Sequence, residues 1–275
     1  MRRSLRSFML LAIPATLIYA IFMFGPIMLS MRYSFYQWNG FGPKTFVGFG
    51  NFIRLFTESP FNERFFNALR NNVQFFITTM IVQNAVALGI ALLLNRELKY
   101  NKFFRTLFFA PTTISVIIVG FLWTLIYNPM WGVINNLLDA VGLDNFKKAW
   151  LGEPGAALTA IAIANAWQYI GIPMMLFLAG LQGISGDLVE ASRIDGCNSR
   201  QQFRFITFPL LMPIIYMVTI LTFVGNFTAF EIIFAMEGTS AGPMYSTDIL
   251  GTFFYRTTYG SLSGAVPEMG LGAAI

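Results

Sequence analysis

The sequence predicts an all-α integral membrane protein with six transmembrane helices, and three observations predict it. Of the 275 residues, 56% are hydrophobic and only 11% are charged, whereas soluble domains carry roughly 25% charged residues. The apolar residues gather into runs of the length, about 20 residues, that a helix needs to cross a hydrocarbon core. The Lys and Arg residues flank those runs and do not interrupt them.

The runs cover about 8–31, 73–94, 106–127, 156–181 and 210–236. A sixth begins near Met269, and the seven residues from there to Ile275 at about 1.5 Å each are too few to cross a bilayer. The last helix is therefore read as cut short, within one transmembrane domain over 1–275. The start "MRRSLR" resembles the n-region of a signal peptide, but the apolar run behind it is long and lacks a small-residue cleavage site. It reads as a retained first helix. Pro14, Pro26 and Pro173 fall inside spans, where a kink is expected at each.

Basic residues set the orientation. Arg2, Arg3 and Arg6 precede the first span, Arg96, Lys99, Lys102 and Arg105 crowd the second connection, and Arg193, Arg200 and Arg204 sit in the fourth. The positive-inside rule makes these three segments cytoplasmic. Outside, "VGFGNFIRLF" and "FNERFFNALR" read as short amphipathic helices at the interface, either lids on the bundle or docking segments.

Composition also excludes chemistry. The chain has no His and a single Cys, which removes imidazole bases, intramolecular disulfides and paired-Cys metal sites. Cys197 reads as a small packing residue. There is no GxxxxGK[ST] phosphate loop, so the chain does not hydrolyse nucleotide itself. A net charge of +5 spread around apolar runs forms no nucleic-acid stripe. No Lys or Arg lies inside a span, which weakens the case for a proton-coupled carrier.

Two spans carry polar faces. Asn165, Gln168, Tyr169 and Ile172 fall at i, i+3, i+4 and i+7, and Thr222, Asn226 and Ala229 at i, i+4 and i+7. Each set shares one helical face. Amides in a bilayer need partners, so both faces look inward, as interhelical contacts or as a path for a hydroxyl-rich cargo. Gln83 and Asn84 in the second span read as helix–helix contacts. Glu231, toward the outer end of the fifth, reads as solvated in preference to binding a hydroxyl or a cation.

The segment 189–214, "VEASRIDGCNSRQQFRFITFPLLMPI", is polar and charge-mixed between two apolar runs. "LVEASRID" has helical spacing, and Gly196 supplies a left-handed stop. Asn198 or Ser199 then caps a second helix, and Pro209 opens the next span. The pattern predicts helix, glycine turn, helix, membrane. Ala191, Ile194, Phe203 and Ile206 form its apolar face, suited to resting on the membrane surface or docking another protein.

In register, this segment resembles the EAA loop of ABC importer permeases: Glu190-Ala191-Ser192, Asp195-Gly196-Cys197, Phe203, Ile206, Pro209 and Pro213. Ser192 and Cys197 replace Ala with small residues. "FFRTLFFAPTTISVIIVGFLWTLIYNP" and "AWQYIGIPMMLFLAGLQGIS" extend the resemblance to the carbohydrate-uptake permeases related to the maltose transporter. "EGTSAGP" departs from that family's tighter glycine-rich turn.

The resemblance implies a type I ABC importer permease. Its loop, 187–209, would seat in a cytoplasmic ATPase, with Glu190, Ala191, Asp195 and Gly196 as the coupling residues, Asp195 capping and fixing the turn. It implies a second homologous permease, two ATP-binding subunits that hold ATP and Mg, and an extracytoplasmic sugar-binding protein, in a bacterial cytoplasmic membrane. By the same resemblance Asn165, Gln168, Tyr169, Ile172, Thr222 and Asn226 are the expected sugar contacts. No cofactor is implied for this chain. The rivals are the same importer class for glycerol phosphate or polyamine, an ion-coupled carrier, and a membrane enzyme.

Overall fold

The computed structural model describes residues 2–96, 99–260 and 266–275, with side chains from Met9 and again from Ala12 onward. The side chains of Arg2, Arg3 and Arg6, part of the orientation reading, lie outside the described residues.

The chain is built from helices. In order they are α1 (Ala12–Tyr33), α2 (Gly50–Thr57), α3 (Phe61–Leu94), α4 (Asn101–Thr113), α5 (Val116–Ile126) and α6 (Val133–Ala140). There follow α7 (Pro154–Tyr169), α8 (Gly171–Gln182), α9 (Gly186–Ile194) and α10 (Ser199–Phe227). The last are α11 (Phe230–Glu237), α12 (Leu250–Tyr259) and α13 (Met269–Gly272). The strand pairing among the described residues is one antiparallel step, β1 (Tyr36–Gln37) against β2 (Thr45–Phe46). By length and composition α1, α3 and α10 can each cross a membrane, and the bent pairs α4–α5 and α7–α8 raise the number to five.

The spans differ from their expected outlines for physical reasons. The second helix begins at Phe61, not Val73, so "FNERFFNALR" is its first turns and not a separate interfacial helix. Nothing there breaks a helix, and its polar side chains are used. Asn71 Nδ2 donates to the Asp248 carbonyl (2.8 Å), and Asn72 Oδ1 accepts from the Leu250 amide (2.8 Å). The third run is no straight rod: α4 and α5 meet at 100°. Pro111 starts the tight last turn of α4, and Ile114 and Ser115 are extended.

The fourth run bends by 50° between α7 and α8, as Pro173 predicts. Its ring cannot accommodate the carbonyl four residues earlier, that of Tyr169. Pro14 and Pro26 lie in a helix that continues past both. A π segment, Ala20–Phe24, runs up to Pro26 and absorbs the misfit. The fifth run is also divided: α10 ends at Phe227 and α11 resumes at Phe230. The sixth run is described as α13, four residues long.

Two units can be distinguished. One comprises 1–66 and 253–275. In it Arg54 Nη1 donates to Glu268 Oε2 at 2.7 Å, tying α2 to the approach to α13. That hydrogen bond raises the guanidinium above its ordinary pKa. The other unit, 67–252, carries all the candidate residues. Its interior has one apolar cluster around Phe75, Ile161 and Ile233 and another around Ala91, Met174 and Leu211. Glycine permits a close crossing: a Cβ on Gly171 would come within 2.7 Å of the Phe108 carbonyl oxygen, so α8 meets α4 backbone to backbone.

Candidate functional site

Two features of the second unit bring chemistry together: a cavity among α3, α7, α8 and α10, and the exposed segment that joins α8 to α10.

The cavity has a volume of about 500 Å³, within the range of small-molecule sites. Asn165 and Tyr169 of α7, Ile172 of α8, and Thr222 and Asn226 of α10 all line it. The two polar faces therefore meet. Thr222 Oγ1 accepts from Asn84 Nδ2 at 3.0 Å, and Asn165 Nδ2 faces Asn226 Oδ1 at 3.5 Å. The Asn226 carbonyl accepts from Asn72 Nδ2 at 3.3 Å. One valence is left over. Asn226 is 3% exposed, and its Nδ2 has no hydrogen-bond partner. A buried amide donor in that state costs free energy and suits a ligand that brings an acceptor.

Gln168 does not join them. It is fully buried outside the lining, and its Nε2 donates to the Ile114 carbonyl at 2.9 Å. That carbonyl sits at the break between α4 and α5, where no helical donor reaches it. Gln168 thus satisfies the backbone of a broken span. Its Oε1 is unpaired.

Two residues read otherwise in the sequence stand in the lining. Gln83, expected as a helix–helix contact, is 6% exposed and borders the cavity. It falls in a π segment of α3, Met80–Ala85, and a π turn rotates the residues after it off the regular wheel. Asn84 beside it does make the expected interhelical contact, to Thr222. Glu231 at the start of α11 also lines the cavity. Two such positions can be found only once the backbone path is known.

The exposed segment folds as its sequence suggests, with two differences. Ser185 caps α9 by accepting from the Asp187 amide at 3.2 Å. The helix ends in a Schellman motif: the Cys197 amide donates to the Ser192 carbonyl (2.9 Å) and the Gly196 amide to the Arg193 carbonyl (3.1 Å). Gly196 has φ +81°, where a Cβ is strained. The turn is closed by these backbone bonds, and the Asp195 side chain makes none of them. Asn198 then forms a capping box with Gln201, donating its amide to Gln201 Oε1 (2.8 Å) and accepting the Gln201 amide on Oδ1 (2.9 Å). The second helix does not stop at Pro209. A π segment, Phe203–Thr207, carries it unbroken into the span.

Glu190, Ala191, Asp195 and Gly196 are all exposed, and Ile194 is 81% exposed. Among the described residues no ion pair involves Glu190, Arg193, Asp195 or Arg200, although they lie within eleven positions of one another. Opposite charges that close and that unused are available to something outside the chain.

Residues 64–275 match the family described as "Binding-protein-dependent transport system inner membrane component". The chain belongs to that family. Its members are transport permease subunits of the inner membrane, not enzymes. Among curated relatives, the lactose transport system permease protein LacF of Rhizobium radiobacter is 34% identical over 247 residues, spanning 90% of this chain and 81% of the relative. The trehalose/maltose transport system permease protein MalF of Thermococcus litoralis is 30% identical over 267 residues, 97% of this chain and 86% of the relative. Among solved structures, a bacterial ABC transporter that imports the acidic polysaccharide alginate superposes with a TM-score of 0.78 at 25% identity. That match covers 99% of this chain and 91% of its counterpart. The alginate transporter has also been solved with an alginate pentasaccharide-bound periplasmic protein (TM-score 0.78, 26% identity, 99% and 88% covered).

Proposed function

We propose that this permease forms half of the translocation pathway of an ATP-driven, binding-protein-dependent sugar importer. The observation that carries the reading is the cavity in which Asn165, Tyr169, Ile172, Thr222 and Asn226 converge, flanked by the two helices that the exposed segment connects. Amides and hydroxyls there can both donate to and accept from sugar hydroxyls, and the Tyr169 ring can stack on a sugar's C–H face. The relatives' printed cargoes, lactose and trehalose/maltose, support the same class.

In this reading the segment 187–209 is cytoplasmic, as is the N-terminus, and seats in an ATPase subunit. Glu190 and Arg193 supply the charges for that contact and Ile194 an apolar anchor, while the Gly196 turn fixes the angle between α9 and α10. A second, homologous permease completes the pathway, and two ATPase subunits bind ATP and Mg. A periplasmic or surface-tethered binding protein delivers the sugar to the outer face. Closure of the ATPases rocks the permeases between inward- and outward-open states, so that the cavity faces each side in turn. Asn226 offers its spare N–H to the sugar while Asn165 and Asn72 hold its two oxygens.

Co-purification tests the assembly. Detergent extraction of the tagged chain should recover an ATPase and a second permease in stoichiometric amounts, and vesicles holding all subunits with the binding protein should take up sugar only with ATP. Uptake by the chain alone, without an ATPase, would overturn the proposal.

A further inference from the structure

The cavity has a charge that nothing in its lining balances. Glu231 stands four positions past the end of α10 and lines the same space as Tyr169 and Asn226. Among the described residues that line it there is no Lys or Arg, and the polar remainder consists of amides and hydroxyls such as Gln83, Asn165 and Thr222. The ion pairs among the described residues do not include Glu231. Glu231 itself is exposed, and apolar side chains, among them Ile172, Leu176, Val218 and Leu221, make up much of the wall.

We propose that Glu231 is the charge filter of the pathway. It repels uronates and sugar phosphates, and it accepts hydrogen bonds from hydroxyl or ammonium groups, so that the cargo is a neutral or an amino sugar. This rests on the sugar reading above and narrows it. A carboxylate cargo entering this cavity meets a like charge with no cation to offset it, and a like charge at close range discriminates more sharply than a missing contact. A hydroxyl donor gains a charge-assisted hydrogen bond, and an ammonium gains an ion pair as well. The alginate importer has the same fold and carries an acidic polysaccharide, so the fold leaves cargo charge open and the lining must decide it.

Three disaccharides of one size test the filter: cellobiose (neutral), chitobiose (two amines) and digalacturonate (two carboxylates). Each is titrated calorimetrically into the complete importer complex at mildly acidic pH, where the amines are protonated and exposed carboxylates ionised. Affinity ratios within each variant are read, so a general loss of affinity does not enter. Wild type should bind chitobiose tightest and digalacturonate at least about tenfold more weakly than cellobiose. Glu231→Gln should shrink that tenfold gap to about twofold, and Glu231→Asp, which keeps the charge, should preserve it. An unchanged order in Glu231→Gln overturns the filter alone, as does a wild type indifferent to charge. Failure of wild type to bind any of the three overturns the sugar reading, and the filter with it.

Discussion

The cavity and the segment between α8 and α10 both gather polar groups, in opposite states. At and around the cavity the buried amides are engaged: Asn84 with Thr222, Asn165 and Asn72 with Asn226, and, behind the lining, Gln168 with the Ile114 carbonyl. In the segment the backbone is fully tied by the Ser185 cap, the Schellman turn and the capping box, yet the charged side chains are exposed and unpaired. The difference follows from solvent. In hydrocarbon an unpaired amide is costly, so it finds a protein partner, and a single spare donor marks a ligand position. In water an unpaired charge costs nothing, so only the geometry of the turn has to be held in advance. The cavity holds its side chains in place, and the segment holds only its backbone.

That contrast can be broken in four ways. Replacing Glu190 with Ala should remove a free charge and no internal bond. Thermal stability should be unchanged, while ATP-driven uptake in reconstituted vesicles falls about 30-fold or more, the scale of a binding hot spot. Normal uptake would remove the coupling role. Gln168→Leu should do the reverse. It strands the Ile114 carbonyl and costs about 2 kcal/mol of unfolding free energy, read by denaturation in detergent, with little effect on sugar affinity relative to cellobiose binding in wild type. A large affinity loss at unchanged stability would return Gln168 to the list of sugar contacts. Asn226→Ala should weaken sugar binding about tenfold, one ligand hydrogen bond in a buried site, measured by calorimetry. Thr222→Val should have the smallest effect, about 1 kcal/mol of stability for the lost bond to Asn84, and should leave coupling of ATP hydrolysis to uptake intact.

Much of this was legible in sequence because its rules are local. The spacing of Asn165, Tyr169 and Ile172, and of Thr222 and Asn226, states a helix face, and faces made polar inside a membrane have to meet. Gly196 and Asn198 announce a turn and a cap through their own conformational preferences. What escaped depends on partners distant in sequence. Gln168 shares a face with Asn165, but a broken span 54 residues earlier captures it. Gln83 borders the cavity from a π segment, Met80–Ala85, and the sequence does not announce such a change of register. The first turns of α3 looked like a separate interfacial helix because they are amphipathic, although Asn71 and Asn72 direct their polarity to the backbone near Asp248 and Leu250. Glu231 is exposed, as its place near a span end suggests, but that it also borders the cavity could not be read from its position.

The unbroken helix from Ser199 to Phe227 has a mechanical meaning. Arg200 and Gln201 lie in its first turn and Thr222 and Asn226 near its far end, roughly 35 Å away at 1.5 Å per residue. One helix therefore joins the exposed turn to the wall of the cavity, continuing through the widening at Phe203–Thr207 and past Pro209 and Pro213. A tilt imposed at the turn arrives at the amides as a sideways displacement, as the long arm of a lever delivers it. In the proposed importer the stroke of the ATPases and the opening of the pathway are then one movement seen at two ends.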